Sequence, residues 1–158
     1  MATIAGASVW EQSLYDHLQN HVENEVDALQ AYEQLADTTA SPAFAYVARL
    51  ILDDERRHHQ LLRDLAETIR INASLSGDPT PIPDLGSFRA DREAVLEATK
   101  RLLEIERDDN RALDRLAGEL KDVKDTTLWE LVIRMLQADN VKHRRILEFI
   151  GSHAKKAR

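Results

Sequence analysis

The sequence predicts an all-α fold, a bundle of four helices, and three observations predict it. Apolar residues recur at spacings of three and four along four long segments. The composition is rich in Ala, Leu, Glu, Asp and Arg, and of its four prolines Pro79, Pro81 and Pro83 stand together. The first half of the chain is also repeated in the second. With 158 residues, the chain fits one domain, 1–158, with a hydrophobic core of ordinary size.

The first helix is expected over about 9–37, with Trp10, Leu14, Leu18, His21, Val22, Glu25, Ala28, Leu29, Tyr32, Leu35 and Ala36 facing inward. Ser41 then has the character of an N-cap and Pro42 that of a first helical residue. The second helix therefore starts at Pro42, runs to about Ile71, and lies antiparallel to the first because so short a break allows nothing else. Its inward series is Phe44, Val47, Ala48, Ile51, Leu52, Leu62, Leu65 and Ile69, with Glu55 and His58 on the same side. Residues 72–88 carry Ser, Gly and Pro at a density that excludes a helix and reads as an extended crossover, able to span roughly 50 Å.

The third helix is expected over about 89–118, with Val95, Thr99, Leu102, Leu103, Glu106, Leu113, Leu116 and Ala117 inward and Gly118 as a terminating signal. The fourth is expected over about 126–150, with Trp129, Val132, Ile133, Leu136, Asn140, His143, Leu147 and Ile150 inward and Gly151 ending it. The repeat aligns Glu25–Ala36 with Glu106–Ala117, placing Glu on Glu and Leu-Ala on Leu-Ala. It also aligns Ile51–His58 with Leu136–His143. Two related helical hairpins joined by a crossover would pack with approximate two-fold symmetry.

Several function classes are excluded or disfavoured. Without cysteine there is no disulfide, thiolate metal site or cysteine nucleophile. The net charge of −7 argues against nucleic acid as a partner, and the basic tail Lys155, Lys156, Arg158 reads as a solvated end. No long apolar run suggests a membrane partner, and Met1 to Ser8 lacks the marks of a secretory signal, so a cytoplasmic location is expected.

What remains is an inner polar layer. Glu25, Glu55, His58, Glu106, Asn140 and His143 should reach one level of the core, with His21, Asp109 and Asn110 within about one helical turn. Three buried carboxylates without cations would oppose folding by several kcal/mol each. The cation could be protonated His58 and His143, inward-folded arginines, or metal ions.

This pattern resembles the ferritin-like superfamily, and within it the rubrerythrin-type proteins, over essentially the whole chain. The resemblance implies up-down-down-up connectivity and a di-iron or di-manganese carboxylate site, with one Glu from each of the first and third helices and an E-x-x-H pair from each of the others. Carried onto this sequence, it implies Glu25 and Glu106 as terminal carboxylates, Glu55 as a bridge, and His58 and His143 as nitrogen ligands. Asp109 stands where rubrerythrins often carry an additional Glu. The second E-x-x-H departs from the pattern, reading Asn140-Val141-Lys142-His143. A neutral amide occupies the position of a bridging carboxylate, and Asp139 points about 100° away from it. The second departure is the missing rubredoxin-like module, which would leave electron delivery to an external donor or to ferrous iron.

The implied function is that of a metal protein handling iron or manganese, with oxidase or peroxidase activity toward Fe(II), dioxygen or hydrogen peroxide, and a homodimer as its assembly. No catalytic residue is assigned beyond the metal site. The alternative is a non-enzymatic bundle acting through assembly or partner binding, and a third reading is iron storage. Other residues have plainer roles: Tyr32 suits core packing, His21 a hydrogen-bonded and partly buried position, and His17, His59 and His153 a solvated surface.

Overall fold

The computed structural model describes residues 3–74, 77–84, 86, 91–122 and 127–156, leaving the side chains of Glu25, Asp122 and Thr127 undescribed. Among the described residues the chain forms α1 (Val9–Thr38), α2 (Pro42–Ser74), α3 (Arg92–Glu119), a single 3-10 turn (Leu120–Asp122) and α4 (Thr127–Lys156), with no strand. The all-α expectation is met. The chain divides into two compact units, Met1–Pro83 and Asp84–Arg158, so that the division falls inside the expected crossover. No helix among the described residues is long and apolar enough to cross a membrane.

In the first unit α1 starts at a capping box. The Ser8 hydroxyl accepts from the Glu11 backbone N–H at 3.3 Å, while the Ser8 backbone N–H donates to the Glu11 carboxylate at 2.7 Å. Ser41 acts as expected, its hydroxyl accepting from the Phe44 N–H at 3.3 Å as Pro42 opens α2. The two helices are antiparallel: Asp37 pairs with Arg49 at 3.3 Å and Glu33 with Arg56 at 3.0 Å, one number falling as the other rises. α2 continues three residues past the expected Ile71, because the leading segment covers its end. Ile4 joins Leu18, Ala66, Ile69 and Ala73 in the buried cluster. Gly6 is required there, since its φ is +87° and a Cβ would lie 2.5 Å from the Ala73 carbonyl oxygen.

The second unit has the same plan. Glu106 faces His143, Asp109 faces Asn140 and Asp114 faces Gln137, again in antiparallel register. The expected start at Arg89 lies outside the described residues, and α3 is observed from Arg92. Gly118 lies within α3, which continues to Glu119. The expectation that Gly151 ends the fourth helix is overturned, because α4 passes through it to Lys156. A Cβ at Gly151 would stand 3.4 Å from Thr99 Cγ2, an ordinary contact distance. The end of α4 is held from α3, with the Arg92 guanidinium donating to the carbonyl oxygens of Ala154 at 2.9 Å and Lys155 at 3.5 Å.

Within each hairpin the helices present two stripes, and the expected inward residues are divided between them. One is the seam between the helices. On α2 it follows Ala48, Leu52, Glu55, His59, Leu62, Ala66 and Ile69 at spacings of three and four, all buried or half-buried. On α4 it follows Ile133, Asn140, Leu147 and Ala154. The other stripe stays exposed and apolar, through Phe44, Ile51 and Leu61 on α2, Leu102, Ile105 and Leu116 on α3, and Trp129, Leu136 and Ile146 on α4. A helix with one neighbour can cover only part of an apolar face wide enough for two.

Candidate metal centre

The candidate residues sit where the seam meets the open stripe. In the first unit Glu55 belongs to the α2 seam and is half-buried, and His58, one turn on, falls on the exposed stripe. His58 Nδ1 is 3.4 Å from Glu55 Oε2. His21, Glu55 and His58 line one cavity of about 510 Å³, walled by Leu61, Leu62, Leu65 and Ile82. Ile82 comes from the segment after α2, held by its backbone N–H donating to the Thr68 hydroxyl at 3.1 Å. Glu25 lies within α1, and as its side chain is outside the described residues, the expectation placed on it is neither met nor overturned.

In the second unit the pair is formed across the seam. Glu106 Oε1 is 3.3 Å from His143 Nδ1, and the Glu106 side chain is only 21% exposed. Glu106 Oε2 is buried and has no hydrogen-bond partner. Beside it, buried Asn140 donates from Nδ2 to Asp109 Oδ2 at 3.1 Å. Asp139 pairs with Lys142, so it does not stand in for the carboxylate that Asn140 lacks.

The structure thus brings together Glu55 with His58, Glu106 with His143, and Asp109 with Asn140. Among the described residues, no group of three or more His, Asp or Glu is arranged to hold a metal ion. Several nearby arginines serve outer carboxylates instead of the inner ones: Arg56 pairs with Glu33, Arg57 with Asp54, and Arg111 with Asp108. The donors themselves suit iron or manganese, since carboxylate oxygen with imidazole nitrogen is the set these ions take. The Glu106 Oε2 atom fits as well, because a buried carboxylate oxygen without a partner is costly until a cation or proton meets it.

Five histidines depart from their expected places: His58 and His143, expected inward, and His21, expected to be partly buried, are exposed. His59, expected at the surface, is 1% exposed, and its neighbour His58 is the exposed one. The seam register Leu52, Glu55, His59, Leu62 was present in the sequence at spacings of three, four and three. The E-x-x-H pattern drew attention to the wrong member of the pair for burial. His153 is likewise half-buried, its ring 4.0 Å from that of Phe149.

The chain matches no protein-family model, no curated protein and no solved structure.

Proposed function

We propose that this chain is a ferritin-like metal-binding protein for iron or manganese, whose four helices close into an up-down-down-up bundle. The observation that carries the reading is the recurrence of one carboxylate–imidazole pair in each hairpin, at 3.4 Å for Glu55 with His58 and at 3.3 Å for Glu106 with His143. Two donors are too few for either ion, so both hairpins are needed, with Glu25 and Asp109 as further carboxylates. The open apolar stripes support the closure, since each hairpin leaves uncovered the kind of surface the other would cover.

Bound iron or manganese would supply electron exchange with dioxygen or hydrogen peroxide, and an external protein or ferrous iron would deliver the electrons. The chain's own part is to hold carboxylate charge at the edge of an apolar cavity. Leu61, Leu62 and Leu65 wall that cavity beside Glu55 and His58, and closure of the proposed bundle over it would exclude water. A homodimer belongs to the same proposal.

Metal analysis after anaerobic loading with Fe(II) or Mn(II) tests it. At least one ion per chain is expected, lost in Glu106→Ala while the helical circular dichroism is retained. A chain that takes up neither ion overturns the reading. That outcome leaves a non-enzymatic bundle acting through assembly, which one observation favours: one oxygen of the Asp109 carboxylate already accepts from the Asn140 amide.

A further inference from the structure

The second unit carries a groove that the metal reading does not use. It lies between α3 and α4 and has a volume of about 620 Å³, within the range of sites that take small organic ligands. Thr99 and Gly151, with little side chain to fill it, leave room at its floor, Ser152 stands at its exposed edge, and Leu96, Leu103 and Leu147 make its walls apolar. Along α3 it runs from Leu96 to Leu103, roughly 10 Å at the helical rise. Leu96 and Lys100 lie on the opposite side of the α3 seam from Leu102 and Ile105. The groove therefore opens away from the exposed apolar stripe of its own hairpin.

Its rim is basic although the chain is acidic. Lys100, Lys155 and Lys156 stand around it with a single acid, Glu148, in a protein of net charge −7. Lysines near a helix C-terminus often serve the last carbonyls. Here Arg92 already serves those of Ala154 and Lys155, and Lys100 is on the other helix. No carboxylate pairs with the three ammonium groups among the described residues. An apolar trough bordered by positive charge that no carboxylate among the described residues pairs with complements a ligand with an apolar chain and an anionic head.

We propose that this groove binds a single-chain fatty-acid carboxylate, its alkyl chain between Leu96, Leu103 and Leu147 and its head group at Lys100, Lys155 and Lys156. The inference is independent of the metal reading.

The test titrates the full chain with decanoate below its micelle concentration, alongside decanol and decylammonium, by calorimetry and by amide chemical shifts. One decanoate per chain is expected, with shifts at Gly151 and Ser152. Decanol should bind about tenfold more weakly, and decylammonium should not bind. The double variant Lys155→Glu/Lys156→Glu should weaken decanoate by about tenfold or more. Ser152→Trp, at an exposed position, should abolish binding by filling the trough. Equal binding of all three compounds, shifts elsewhere in the chain, or indifference to the lysine changes would each overturn the proposal, as would no binding at all.

Discussion

Adjacent histidines on one helix have opposite environments here, and they separate folding from chemistry. His59 fills the α1–α2 seam at 1% exposure, whereas the His58 side chain is 52% exposed. Truncating His59 to Ala leaves a cavity and should cost about 2–3 kcal/mol in chemical denaturation. His58→Ala should change stability by less than about 0.5 kcal/mol, and under the proposed function it should still remove bound metal. Equal stability losses would place both rings in the core and contradict the register. At the other end of the unit, hydrogen bonds from the Ser8 hydroxyl and backbone hold the Glu11 carboxyl below its ordinary value of 4.5. A lowered folded value contributes stability above the unfolded value and loses it as pH falls through the folded one. Acid should therefore fray the first turn of α1, seen as faster amide exchange. Ser8→Ala should return the Glu11 titration toward its ordinary value and cost about 1 kcal/mol.

At the scale of elements, each helix formed where period and composition required it, but the ends followed partners the period does not encode. Ser41 and Pro42 are local signals, readable in the sequence, and they start α2 where expected. Gly151 also looks local, as a terminator, yet the helix runs straight through it. α4 continues because a residue 62 positions away caps its carbonyls. Arg92→Ala should therefore fray residues 152–156 and cost about 1 kcal/mol, with amide exchange rising there and not in α1. Protection that stays unchanged would mean that packing of Ala154, fully buried, holds the end by itself.

At the scale of the whole molecule, the two hairpins share one design: a seam, an open apolar stripe and a carboxylate–imidazole pair at their border. Ile51, on the open stripe of α2, is 37% exposed in its hairpin. If that stripe is covered in solution, as the proposed bundle requires, Ile51→Asp buries a carboxylate. It should then lower stability by about 2 kcal/mol or more. A melting temperature unchanged by this substitution would leave the stripe in water and remove the support for closure.

The sequence by itself determined the four helices, the break at Ser41, the internal repeat and the candidate carboxylates and imidazoles, because spacing and residue chemistry are local properties. It did not determine which half of each apolar face would meet a neighbour. A helical period locates a face wider than one contact, and so His58 and His59 could not be told apart from the motif alone. Only the tertiary structure decided that His59 fills the seam, that Asn140 donates to Asp109, and that α4 runs on to Lys156. Each of these depends on a side chain from another helix, brought near by antiparallel packing.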